Sequence, residues 1–223
     1  MSRISLFEFK VDMSIREIAN CLLEMRYAQN RKSGFMLGRV GHDTISVKHV
    51  TEVVTERTIT NPFGETEVSH VLDYLVNQIE IRQGLIKVSN PTKSLFQFKQ
   101  DLSESLGYLC SITPLSIDLK KIAEDISKSD TGISVTAVDI VSRNLMLDST
   151  VKMSIASNQC VLKKVSNHFD SKSFDIRKLK VEVHGVGRIE LSCKGGIKLD
   201  GGYDDNKLYR IISEQFISPL SVM

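Results

Sequence analysis

Along the chain, apolar and polar residues change rhythm several times, and each change marks an element. The opening stretch "RISLFEFKVD" sets Ile4, Leu6, Phe9 and Val11 in imperfect alternation with polar residues, which predicts a strand. In "SIREIANCLLEMRYAQN" the apolar residues Ile15, Ile18, Leu22 and Met25 return at helical spacing. Ser14 and Glu17 have capping-box spacing there, so that each side chain can satisfy a first-turn amide that the helix leaves unpaired. Gly34 is placed to stop this helix, and Gly41 to turn a hairpin between "GFMLGRV" and "DTISVKHV" with His42 and Asp43 at its tip. "NPFGE", residues 61–65, reads as a loop, and "VSHVLDYLVNQ" fits a helix or a strand.

The pattern sharpens from residue 79. "IEIRQGLIKV" alternates on both sides of Gln83 and Gly84 and predicts a hairpin. "TKSLFQFKQDLSESLG" follows with Leu95, Phe98, Leu102 and Leu106 on one helical face and Gly107 at the stop. "YLCSITPLSID" is extended, with Pro114 suited to an edge, and "DLKKIAEDISK" is a helix capped by Asp118 with Leu119, Ile122 and Ile126 inward. After the "SKSDTG" loop, "GISVTAVDIV", "STVKMSIAS", "LKVEVHG" and "GRIELSCKGGIKLDGG" all alternate; in the third, Leu179, Val181 and Val183 point in and Lys180, Glu182 and His184 out. "DDNKLYRIISEQF" predicts a terminal helix. No sequence repeat underlies this order.

Together these rhythms predict an α+β fold of mixed or antiparallel sheets, built from β-hairpins each followed by an amphipathic helix. Residues 1–127 form an N-terminal α+β region, and residues 128–223 a β-rich region closed by the terminal helix.

Composition adds bounds. The 223 residues, 41% hydrophobic and 25% charged, suit a folded globular chain of one large or two small domains. The formal charge of +2, from 29 basic and 27 acidic residues, means that any tight binding of a polyanion must be local. The four cysteines, at 21, 110, 160 and 193, show no short paired spacing, and no secretory apolar region precedes Glu8 and Lys10. The expectation is reduced thiols in a cytoplasm. No apolar run approaches the roughly 18 residues of a spanning helix, so insertion in a membrane is not expected.

The chemistry-bearing residues form few patterns. The histidines at 42, 49, 70, 168 and 184 and the cysteines make no CxxC, HxxxH or HExxH spacing; His168 and Asp170 in "NHFDSKS" are half a site, and no metal or other cofactor is expected. There is no G-x-S-x-G elbow, and Cys193 shares the phase of Ile189 and Leu191, which makes it a core thiol. "GVGRIELSCKGG" lies between strands, not ahead of a helix, so its glycines read as turns and not as a phosphate cradle. A metal-dependent nuclease or hydrolase could draw on Glu8 with Lys10, or Glu182 with His184; both pairs also suit the wet face of a sheet. No catalytic residue is assigned.

Charge segregation is more informative. Residues 26–49 carry Arg26, Arg31, Lys32, Arg39 and Lys48 against Asp43 alone, a local net of +4. Residues 143–194 carry ten basic residues against five acids, a net of +5; among the ten are Lys163, Lys164, Lys172, Arg177, Lys178, Lys180, Arg188 and Lys194. Such clusters could grip phosphates through counterion release, or simply keep loops and sheet faces wet. With no tryptophan and few aromatics, duplex backbone contact fits better than stacking on single strands.

The succession over residues 61–140, from "NPFGETEVSHVLDYL" through "IEIRQGLIKV", "SLFQFKQDLSESLG", "ITPLSID" and "LKKIAEDI" to "ISVTAVDI", resembles RexA, the phage-exclusion DNA-binding protein, and the layout of other prokaryotic anti-phage proteins. That resemblance implies a cytoplasmic DNA-binding or sensing component, a homodimer or one acting with a protein partner, and carries over no site residue. The expectation is therefore a non-enzymatic protein binding duplex DNA through the basic residues at 26, 31, 32, 39 and 163–194. Its alternatives are an assembly subunit docking by a sheet edge or the terminal helix, and the nuclease or hydrolase above.

Overall fold

The computed structural model describes residues 2–128, 132–143, 150–157, 161, 174–200 and 209–210. Contacts divide the chain into two compact units, residues 9–112 and residues 1–8 with 113–223. Strand β1 (Ser2–Val11) contributes residues to both.

In the first unit, helix α1 (Ile15–Glu24) starts at the expected capping box: Ser14 Oγ accepts from the Glu17 amide, and Glu17 Oε2 accepts from the Ser14 amide at 2.7 Å. Those two bonds hold the Glu17 carboxyl below its usual pKa. The helix stops at Met25, nine residues before Gly34. Gly34 lies instead in strand β2 (Ser33–Val40), where a Cβ would come within 2.8 Å of the Met25 carbonyl oxygen; the glycine allows a close backbone approach. Strands β3 (Thr44–Thr60), β4 (Thr66–Arg82) and β5 (Gly84–Ser89) follow, and the hydrogen-bonded order is β2-β3-β4-β5-β1. Gly84 turns the predicted hairpin with φ of 78°. Helix α2 (Phe96–Ser105) ends ahead of Gly107 as predicted. One sheet face is buried: Phe35, Ile45, Val47, Ile79 and Ile81 are enclosed with Ile18 and Leu22 of α1 and Phe98 and Leu102 of α2.

The second unit contains helix α3 (Leu119–Lys128) and strands β7 (Ile133–Arg143), β8 (Thr150–Ala156), β9 (Phe174–Val183), β10 (Gly187–Ser192) and β11 (Gly196–Asp200). Within this unit Ser2–Ser5 of β1 pair with β11, and the hydrogen-bonded order is β1-β11-β10-β9-β7-β8; β6 (Cys110–Pro114) also pairs with β1. Asp118 Oδ1 caps α3 by accepting from the amides of Lys120 and Lys121, at 3.1 and 3.0 Å. Leu119, Ile122 and Ile126 are buried, and α3 packs on β9 and β7. The inward phase of Leu179, Val181 and Val183 is as predicted, whereas Cys193 is half-buried and lies beyond the end of β10. The predicted terminal helix lies outside the described residues except for Tyr209 and Arg210, which are helical.

The α+β expectation of hairpins each followed by a helix is corrected. The fold is mostly antiparallel β: strands make up 58% and helices 18% of the described residues, with three helices among them. The reason lies in residues 68–78, "VSHVLDYLVNQ", whose spacing fits a helix or a strand, and in the residues 52–60 that pair with them. They form one continuous two-stranded ladder, so the β2–β3 hairpin leads into more strand and not into a helix.

Candidate functional site

The feature that stands out is the far half of the β3–β4 pair. These strands are 17 residues each and stay in register from Thr44↔Arg82 to Thr60↔Thr66. Pairing with β2 ends at Thr51, and pairing with β5 at Gln78. Beyond those points the two strands pair only with each other among the described residues, as a ribbon of residues 53–76.

The ribbon exposes apolar side chains to water between charged ones such as Glu56 and His70. Opposed residues share a face in an antiparallel pair, so Val54 and Leu72 sit side by side, with Val68, Tyr74 and Val76 on the same face. All five are exposed. At the tip, Asn61 organises the turn: its Oδ1 accepts from the amides of Phe63 and Glu65, both at 3.0 Å, and its Nδ2 donates to Glu65 Oε2 at 2.8 Å. Gly64 completes the turn with φ of 85°. This hydrogen-bonded turn holds Phe63 outward, 90% exposed. Five acids, Glu52, Glu56, Glu65, Glu67 and Asp73, stand against Arg57 over residues 52–76, a net of −4.

At the ribbon's base, the Glu52 amide donates to the Lys32 carbonyl at 2.7 Å, and the Tyr27 hydroxyl donates to Glu52 Oε1 at 2.6 Å. The bond to Glu52, with burial second, pushes the Tyr27 hydroxyl up to about 12. Arg26, Arg31, Lys32 and Arg39 of the predicted site are all exposed along α1's exit and β2, and none makes an ion pair among the described residues. His42 and Asp43 form a pair at the hairpin tip, as expected from their place at the turn.

The second basic cluster differs. Arg177 faces Asp175 at 3.6 Å and donates to Cys193 Sγ at 3.9 Å; Lys178 faces Asp139 at 3.8 Å and Glu190 at 3.9 Å. Lys180 also faces Glu190, at 3.8 Å, and Arg188 faces Glu182 at 3.6 Å. Lys198 donates to Glu190 at 2.8 Å. Burial alone would raise the Glu190 carboxyl, but the Lys198 bond and the charges of Lys198, Lys178 and Lys180 outweigh it and lower its pKa. Register explains the pairing, because Glu190 stands opposite Lys180 on β9 and Lys198 on β11, and Arg188 opposite Glu182. Lys194 is exposed. Lys163, Lys164, Lys172, His168 and Asp170 lie outside the described residues.

Neither sequence-derived catalytic pair assembles a charge-handling group. Glu8 accepts a long bond from Thr113 Oγ1 at 3.5 Å, and both Glu8 and Lys10 have partners within the protein. Glu182 is engaged by Arg188, while His184 is exposed just past β9. Among the described residues, no group of three or more His, Cys, Asp or Glu side chains could hold a metal ion. No described helix is long and apolar enough to cross a membrane.

One buried polar pair escaped sequence reasoning. His49 Nε2 and Asp101 Oδ2 are 2.7 Å apart, with side chains 0% and 4% exposed. Burial pushes the Asp101 carboxyl up, yet bonds from His49, Ser33 and Gln97 outweigh it and lower its pKa. An ionised carboxylate only accepts, so the ring carries its proton on Nε2. The ring packs against Phe35 and Phe98, at centroid distances of 5.1 and 5.7 Å, and Nδ1 has no partner. His49 alternates with Val47 and Ile45 on the buried face of β3, and that phase was the available signal.

Compared with models of known protein families and with curated proteins, the chain matches none.

Proposed function

We propose that this chain is a non-enzymatic assembly component that engages a protein partner through the β3–β4 ribbon. The observation that carries this reading is the hydrogen-bonded tip that holds Phe63 in water beyond a face of exposed Val54, Leu72 and Tyr74. A two-stranded ribbon in water is marginally stable at best. Contiguous exposed apolar surface marks an interaction site, and aromatic anchors dominate interface energetics. The ribbon's net charge of −4 favours a protein over a polyanion. A photoreactive benzoylphenylalanine substituted for Phe63 in the native cell should give covalent adducts with protein. Adducts with nucleic acid alone, or none, would contradict the reading.

A second reading, duplex DNA backbone binding in an anti-phage setting, is favoured by the exposed Arg26, Arg31, Lys32 and Arg39. The carboxylates facing Arg177, Lys178, Lys180 and Arg188 count against the remainder of its basic surface. Its test is duplex affinity against salt, which should fall with a log–log slope of about −0.9 per phosphate neutralised, and Arg31→Glu with Lys32→Glu should weaken all sequences alike.

A further inference from the structure

We infer that the partner of the ribbon is a second copy of this chain: the acidic ribbon of each protomer lies along β2 and the basic segment of the other. The inference rests on the assembly reading above and names its partner.

Three observations lead to it. First, the charges are equal and opposite within one chain: net −4 over residues 52–76 and net +4 over residues 26–49. The chain cannot satisfy this complementarity alone along the outer ribbon. Arg31 and Lys32 flank the ribbon's base, where Ser33 pairs with Thr51, and Arg39 lies at the opposite end of β2, near the Val40↔Ile45 pair. The tip is on the order of 25–30 Å from the base at strand rise. Second, β2 is an edge strand. Its Phe35 exchanges backbone bonds with Met25 and Tyr27, but among the described residues its only ladder is with β3, which leaves an edge from Met36 to Val40. That edge carries exposed Met36 opposite Lys48 on one face, and exposed Arg39 and Val40 at its end past a register shift, so apolar and basic side chains are offered to an apolar and acidic ribbon. Third, the extent fits. A specific interface takes about 20–30 residues a side, which one face of residues 53–76 together with residues 31–40 of the same protomer approaches.

Reciprocity follows from symmetry. In a two-fold dimer each protomer offers the same patch, so one ribbon-on-β2 contact implies its mate, and both charge imbalances are offset at once. An edge strand exposed to pairing is covered in the same step.

The test is a charge swap on the full chain, read by sedimentation equilibrium. Wild type should be dimeric at micromolar concentration. Arg31→Glu/Lys32→Glu/Arg39→Glu in one variant, and Glu56→Lys/Glu65→Lys/Glu67→Lys in another, should each raise the dimer dissociation constant on the order of 100-fold, because like charges then meet. An equal mixture of the two variants restores both contacts and should return a heterodimer near wild-type affinity; circular dichroism verifies that each variant is folded. A monomeric wild type, or a mixture no tighter than its components, overturns the inference. If wild type is monomeric while the residue-63 crosslinker captures another protein, the second copy is wrong and the assembly reading stands. If the crosslinker captures no protein, both fall.

Discussion

Among single residues, His49 and Asp101 have the largest consequences. Their bond joins β3 to α2 in a site sealed by Phe35 and Phe98, so His49→Ala would leave a buried carboxylate short of a donor. A loss of about 3 kcal/mol is expected in urea unfolding. The double variant His49→Phe/Asp101→Leu, which removes both polar groups, should recover much of it. Acid acts on the same carboxylate and on Glu190, because both are held below their ordinary pKa in the folded state. A depressed carboxyl adds stability that is complete above its unfolded value, about 4, and is lost as pH falls through the folded one. The urea midpoint should therefore hold at neutral pH and drop below about pH 4, and Glu190→Gln should flatten part of the drop. Capping was legible at this scale: Ser14 and Glu17 make the bonds that their spacing implies, and Ser14→Ala should cost about 1 kcal/mol by the same assay. The partner of His49 was not legible, since Asp101 is 52 residues away and only packing brings α2 over β3.

At the scale of elements, local patterns identified what local forces build. Alternation with inward Leu179, Val181 and Val183 located β9, and the glycine at 84 located a hairpin. Alternation could not say where a strand stops having neighbours. Residues 52–76 resemble the rest of β3 and β4 in composition, yet lie beyond the ends of β2 and β5. The β-branched runs flanking "NPFG" were the available signal, and the ambiguity of "VSHVLDYLVNQ" between helix and strand hid it. Because ribbon side chains are exposed, they add little to the fold that carries them. Phe63→Asp should change unfolding stability by less than about 0.5 kcal/mol while abolishing association measured by light scattering. Excising Val53–Asp73 and joining Glu52 to Tyr74 through Asn-Gly keeps the register, since these two residues already face each other. The shortened chain should melt within a few degrees of the parent.

For the whole molecule, a formal charge of +2 conceals the way charge is distributed. Sequence counting treated two basic segments as alike. Strand register explains the second, because Glu190, Glu182 and Asp139 stand opposite the lysines and arginine of β9 and β10, whereas Arg31 lies ahead of β2 and Arg39 in its irregular stretch, and neither makes an ion pair among the described residues. Cross-strand neighbours are set by pairing that a linear reading does not contain. If the free basic segment receives a partner's ribbon, polyanions compete for it, and duplex DNA should shift the chain from dimer to monomer at low salt. The claim on which the rest stands is that protein covers the ribbon, and hydrogen exchange of residues 53–76 tests it most directly. At micromolar concentration their outward amides should be as protected as those of β9 and β10, and dilution should release them together. Exchange as fast as an unpaired edge at every concentration would contradict the account.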